Sequence, residues 1–554
     1  MTKSTSTFDK AFAETLCDIQ VPKQIKFSPN GQRLVYSTSL VAGHLKGKNH
    51  TSTLWLASTN EPNSSRKLTS GSFNDTSPAW YPSGDSIIFL SDRAKPGESS
   101  AIWRMRLDGG DPVAVTAEDN EQDIYMFAVS PDGKTIAYVS CDEKKKDNEE
   151  AEAEPKVWGE KWDNARLRLV NVETHETKAI VGGDKHIGEI AWSPDGKSLV
   201  FMSTENPHIE EAMLTGTSIS TVFIETGQIK HLCKVTNEPY NSIWAPDGHI
   251  YFITGTPPDK DSGGRSVYSI DPQASCPNFI KVRCGQDDDA ANIRIAGDRV
   301  IINRQVRLVD VISELEGDDL FADGKEIGYG VLLPQYRGSS GRGEKFASYS
   351  IGGQGVYDYA DVITITDNAV KKGFADPKKL MVGGWSQGGL LTYLCSVRNG
   401  LHGLGWRFNA AVAGAGVCDT ESLAVTADLG STFEVELAGG HTIWTLSHDD
   451  TRNRQGSAIW EVSSAMEHSR REGTTVIPPI LILHGEKDER CPFSQAEGFR
   501  RALRCYGLPC ESVKYPGEGH GIEAQRFWLD MFERIGRFCD LYIGEESNNQ
   551  VAIR

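Results

Sequence analysis

A serine, an aspartate and a histidine stand in this order along the chain, in settings that could do acyl-transfer chemistry: Ser386, Asp488 and His520. Ser386 lies inside Gly384-Trp-Ser-Gln-Gly388, a G-x-S-x-G pattern. A strand that turns sharply into a helix holds its middle residue in a strained backbone conformation, and small neighbours let the two segments approach. The hydroxyl is then left clear, above a helix N-terminus whose free N–H groups can face an oxyanion. The first of these is the N–H of Gln387. Asp488 follows the apolar run Ile480-Leu-Ile-Leu-His484, and His520 follows Glu511-Ser-Val-Lys-Tyr515 and a glycine-rich turn. In the roles their chemistry allows, His520 takes the proton from Ser386 as it attacks. Asp488 fixes the imidazole tautomer and stabilises the imidazolium. Each residue has a blander reading when taken alone. Asp488 sits among Glu486, Lys487, Glu489 and Arg490 and could be one charge on a solvated loop. The order Ser, acid, His, each after an apolar run, is what lifts the three together.

The elements that must position them read as alternating strand and helix. Val331-Leu-Leu333 reads as a buried parallel strand and residues 357–371 as a helix. Residues 379–383 form the strand into the elbow, and Asn409-Ala-Ala-Val-Ala413 the next strand. Residues 522–541 show helical apolar spacing at Phe527, Met531, Ile535 and Phe538. This alternation implies a parallel sheet covered on both faces, with its chemistry at the carboxyl ends of the strands, and the order Ser, acid, His is the one expected of an α/β-hydrolase.

The first half is different and repeats. A turn follows an aromatic or apolar strand at Phe27-Ser-Pro-Asn-Gly31, Trp80-Tyr-Pro-Ser-Gly84, Val129-Ser-Pro-Asp-Gly133, Trp192-Ser-Pro-Asp-Gly196 and Trp244-Ala-Pro-Asp-Gly248. A weaker sixth mark is Ile295-Ala-Gly-Asp298. Proline presets the second turn position and glycine takes the positive φ. The prolines at 29, 82, 131, 194 and 246 are spaced by 53, 49, 63 and 52 residues. Short strands at that period, with no face buried within one unit, point to a β-propeller. Six repeats are visible; a seven-bladed type with one incomplete blade is expected, with residues 10–23 available to lend strand. The long spacing holds the charged insertion 142–154.

Composition excludes other classes. The 554 residues carry a net charge of −18, which argues against nucleic acid or an anionic membrane as partner. No run of about 18 apolar residues is present and the first ten residues have no signal-peptide core, so a cytoplasmic protein without membrane contact is expected. Eleven cysteines with no C-x-x-C pair read as free thiols, Cys491 among them as a packing residue. No cofactor or metal motif is found. Gly338-Ser-Ser-Gly-Arg-Gly343 lacks the Lys-Ser or Lys-Thr of a P-loop.

With propeller, elbow and ordered triad in hand, the chain resembles the prolyl oligopeptidase family of serine peptidases, in its acylaminoacyl-peptidase and dipeptidyl-peptidase V branch. The residues that carry this are Pro334-Gln-Tyr-Arg-Gly-Ser-Ser-Gly-Arg-Gly343, Gly383-Gly-Trp-Ser-Gln-Gly-Gly389, Ala411-Val-Ala-Gly-Ala-Gly-Val-Cys-Asp419, His484-Gly-Glu-Lys-Asp-Glu-Arg-Cys-Pro492 with Gln495, and Tyr515-Pro-Gly-Glu-Gly-His-Gly521. The resemblance implies a peptidase that cleaves short peptides, releasing dipeptides or acylated N-terminal residues, under a propeller that excludes folded proteins. An esterase on small acyl esters, or an impaired homologue that acts as a binding protein, are the alternatives. The implied division is a propeller over 10–303, a shortened junction over 304–330 and the hydrolase over 331–554.

One departure stands out. The family's hydrolase begins with several strands, one of which carries a His-Gly-Gly-Pro motif whose following loop helps form the oxyanion hole. Residues 304–330 contain no His-Gly-Gly. The missing strand would sit between the Val331 segment and the elbow strand. A dropped exon in the gene model, a degraded relative, or residues 306–312 standing in for the lost strand each account for this.

Overall fold

The computed structural model describes residues 10–543 apart from 42–44, 46, 119, 144–158, 160–161, 261–262, 316–318 and 324–330. Most of the charged insertion therefore lies outside the described residues. Its first residue, Asp142, pairs with Arg166 and Arg168.

Six antiparallel four-stranded sheets occupy the first half. They are β1–β4 (residues 20–67), β5–β8 (76–114), β9–β12 (124–181), β13–β16 (186–235), β17–β20 (240–283) and β21–β24 (289–323). Each repeat turn joins the first two strands of a blade, as the proline and glycine spacing requires. The tryptophan before the turn also ties blades together. Trp80 Nε1 donates to the Lys26 carbonyl of the blade before it, and Trp192 Nε1 to that of Ala128.

The cores lie between blades. Val35 and Leu54 meet Ile87, Phe89 and Trp103 between blades one and two. Similar apolar seams join blades two to three, three to four, four to five and five to six. Among the described residues no sixth core joins blade six back to blade one. Blade one's first strand, β1 (Gln20–Phe27), is exposed along nearly all its length. Phe27, which holds the position of Trp80 and Trp192, is 64% exposed. Across the seam the pKa of Lys26 is lowered, first by desolvation and then by the like charge of Arg294 on β21 (Asp289–Ala296). The six blades thus form an arc whose two ends present like charges and bare apolar side chains to each other.

Two expectations change here. No seventh blade appears among the described residues; residues 10–17 form a helix, α1 (Lys10–Cys17), that packs against the C-terminal helix. Blade six also continues past residue 303: β22 (Arg299–Val306), β23 (Val309–Glu314) and β24 (Asp319–Asp323) complete it. Residues 306–312 therefore do not replace a hydrolase strand. Arg307 takes a positive φ, and Val306 pairs with Val309 across a tight hairpin.

The second half holds one parallel sheet, in the order β25 (Met381–Trp385), β26 (Ala410–Gly414), β27 (Ile480–Gly485) and β28 (Cys510–Tyr515). Helices α2 (Tyr357–Lys371) and α3 (Gln387–Val397) cover one face together with the helix Ser494–Cys505, with Tyr393 and Leu390 of α3 and Phe499 of the last fully buried. Helix α4 (Gln525–Ile543) covers the other through Met531 and Phe538. Among the described residues no strand pairs with the outer edge of β25, so the elbow strand is an edge strand. Val331, Leu332 and Leu333 correct the sequence reading. They form no strand and are 60%, 45% and 64% exposed. A parallel strand needs a neighbouring ladder to bury its backbone, and none stands between this segment and β25.

The halves touch at several points. Glu344 N–H donates to the Gly285 carbonyl, and Gly341 N–H to the buried Asp289 carboxylate. Gln525 Nε2 donates to Asp18. An open cavity of about 1010 Å³ lies between Val306–Val311 of blade six and residues 342–349 of the hydrolase.

Candidate active site

Ser386 sits between β25 and α3 with φ 59° and ψ −117°, the strained conformation that the elbow pattern requires. The glycines explain how the turn closes. A Cβ on Gly384 would lie 2.7 Å from the Gly388 backbone, and one on Gly389 would lie 2.6 Å from Gly416 Cα. Real side chains cannot occupy either place, so α3 approaches β25 and the end of β26 backbone on backbone.

The three sequence-selected side chains meet. His520 Nε2 is 3.0 Å from Ser386 Oγ, and His520 Nδ1 is 2.9 Å from Asp488 Oδ2. The loops that carry the acid and the base hold each other. Lys487 N–H donates to the Glu518 carbonyl, and a Cβ on Gly485 would lie 2.1 Å from the Gly519 carbonyl oxygen. The buried Glu518 carboxylate in turn accepts from the N–H groups of Glu523 and Ala524.

Asp488 is 4% exposed. Burial pushes its carboxyl up, but hydrogen bonds from His484, His520 and the Cys491 N–H outweigh this and hold it at about 2. It is therefore a fixed anion facing the imidazole. Burial pushes the Cys491 thiol up to about 12, so this cysteine is a packing residue and not a second nucleophile.

Sequence reading missed several supporting contacts. Trp385 Nε1 donates to the His520 carbonyl at 2.9 Å, so the residue beside the candidate nucleophile pins the backbone of the candidate base. Gln387 Nε2 donates to the buried Asp358 at 2.9 Å, and its Oε1 accepts from Gln354. These bonds fix the first residue of α3, directly after Ser386. Asp358 itself is pushed up by burial. Only the position of Trp385 inside the motif could have flagged any of these contacts.

Glu434, near Cys491 and Arg490, is pushed up to about 7, chiefly by burial. A carboxyl raised in the folded state from its ordinary 4.5 stabilises below that value and loses the contribution as pH rises to about 7. Glu434→Gln should therefore match wild type in melting temperature at pH 4.5 and exceed it at pH 8. Thermal unfolding followed by circular dichroism at both pH values checks this.

Residues 322–546 match a family model described as the prolyl oligopeptidase family, and residues 20–156 match that of a TolB β-propeller domain. The hydrolase half belongs to the prolyl oligopeptidase family. Among relatives, the uncharacterized peptidase YuxL of Bacillus subtilis is 24% identical over 648 aligned positions, covering 90% of this chain and 94% of its own length. That alignment is longer than the chain, so the relative carries segments with no counterpart here. The acylamino-acid-releasing enzyme of Arabidopsis thaliana is 30% identical over 39% of this chain, but only 27% of the plant protein is covered. In fold, the chain is similar to the acylaminoacyl peptidase of Pyrococcus horikoshii, with a TM-score of 0.73 at 14% identity over 97% of this chain and 98% of that one. Residues 322–546 are thus related to serine peptidases, and among the described residues no helix is long and apolar enough to cross a membrane.

Proposed function

We propose that the chain hydrolyses short peptides through an acyl-enzyme on Ser386, releasing dipeptides or acylated N-terminal residues. The observation that carries this reading is the continuous hydrogen-bonded line Asp488–His520–Ser386. His520 Nε2 accepts the Ser386 proton as Oγ attacks the scissile carbonyl. The carbonyl oxygen becomes an oxyanion against the Gln387 N–H at the start of α3. Asp488 keeps Nδ1–H in place and stabilises the imidazolium. His520 then protonates the leaving amine, and water repeats the sequence on the acyl-enzyme. The names of the relatives, an acylamino-acid-releasing enzyme among them, support the substrate class.

The edge position of β25 bears on rate. No strand among the described residues stands beside it to bring a second oxyanion donor. Loss of one donor costs roughly 10²–10³ in kcat. A slow peptidase, or an esterase whose activated substrates need less oxyanion stabilisation, are the two activities to separate. Acetyl-aminoacyl and dipeptidyl anilides should be turned over, slowly. Turnover confined to p-nitrophenyl esters would replace the peptidase reading with the esterase one.

A further inference from the structure

We infer that His484 is a positioning residue for Asp488, holding the same carboxylate oxygen that faces His520. This rests on the peptidase reading of the site. His484 lies near the end of β27, four residues before Asp488, and its side chain is fully buried. Its Nε2 is 2.6 Å from the Cys491 carbonyl oxygen and 3.3 Å from Asp488 Oδ2. Both neighbours are acceptors, so Nε2 carries the proton and donates to them. Nδ1 is then a bare acceptor, and it is buried without a hydrogen-bond partner. The Phe493 ring packs against the imidazole in a T-shaped contact, with centroids 5.7 Å apart.

The arrangement gives Asp488 three N–H donors. Oδ1 accepts from the Cys491 backbone at 2.8 Å, while Oδ2 is shared between His520 and His484. A carboxylate held at both oxygens, by the Cys491 N–H on Oδ1 and His484 on Oδ2, is hindered from rotating to follow the imidazole as Ser386 loses its proton. The turn of residues 488–491 is closed by the same histidine through the Cys491 carbonyl. His484 therefore joins the end of β27, the acid loop and the acid itself in one hydrogen-bonded unit. The charged and titratable groups facing it are Asp488, His520 and Cys491, with Glu434 and Arg490 behind Cys491.

Two substitutions separate positioning from packing. Glutamine places an N–H at the same reach as Nε2, whereas leucine fills space and donates nothing. His484→Leu should lower kcat roughly tenfold to a hundredfold, the size of one hydrogen bond to a charged group. It should also move the acid limb of the kcat/KM–pH profile to higher pH. Asp488, relieved of a competing N–H, then places more of its charge on the His520 imidazolium. His484→Gln should keep the wild-type limb and most of the rate. Equal loss in both variants with an unmoved limb, or full activity in His484→Leu, overturns the proposal. Should the leucine variant not fold, ¹⁵N-histidine spectra of the wild-type protein decide. A proton on His484 Nε2 supports the assignment, and one on Nδ1 overturns it. Reaction of the wild-type protein with a fluorophosphonate reports separately on the peptidase reading, since its failure leaves the histidine spectra interpretable.

Discussion

Ser386→Ala should lose all labelling by a fluorophosphonate probe, and its peptide turnover should fall by roughly 10⁶, the loss seen when a triad nucleophile is removed. The strained elbow holds Ser386 Oγ within 3.0 Å of His520 Nε2 while its backbone is spent on the turn. Alanine fits the same backbone and leaves the loops untouched, so melting temperature should stay within a degree or two of wild type. His520→Ala should cost about as much, and the double variant no more than either single one, because the three side chains act as one unit. Labelling that persists in Ser386→Ala would mean another residue is the nucleophile.

Asp488→Asn should lower kcat by roughly 10⁴, and the hydrogen bonds say why. The side-chain oxygen must stay on the Cys491 N–H, or that buried donor loses its partner. The new NH₂ then faces the Nδ1–H of His520 and the Nε2–H of His484. Donor meets donor, and the relief is for His520 to shift its proton to Nε2. In that tautomer it cannot accept from Ser386. Single-turnover kinetics with an activated ester would show the loss in acylation. A variant within tenfold of wild type would mean that Asp488 does not set the tautomer.

The candidate site was legible because its signals are local. The elbow's glycines are dictated by backbone contacts within a few residues, and the strand-end positions of Asp488 and His520 follow from apolar runs whose neighbouring strands are present to pair with them. The helix at Tyr357–Lys371 and the repeat turns were readable for the same reason. What failed depended on neighbours. Val331–Leu333 has the composition of a buried strand, yet a strand exists only where another pairs with it. Residues 306–312 look like a free β segment until Arg307 folds them into blade six. His484 and the Gln354–Gln387–Asp358 chain gain meaning only from partners distant in sequence or from burial.

The open seam between blades six and one changes how the propeller should come apart. In a closed hoop every blade is clamped on both sides, and none can leave without breaking two contacts. An arc with five apolar seams behaves like a short linear array, whose stability is a sum of nearest-neighbour terms and whose melting starts at its ends. Amide exchange should therefore be fastest in the terminal blades and slowest in blades three and four. Blade one has outside help, from the α1–α4 packing and the Gln525–Asp18 hydrogen bond, and blade six from Glu344 and Gly341. The hydrolase thus acts as a clasp across the two loose ends, and unfolding of the two halves is coupled at the place where the ring does not close.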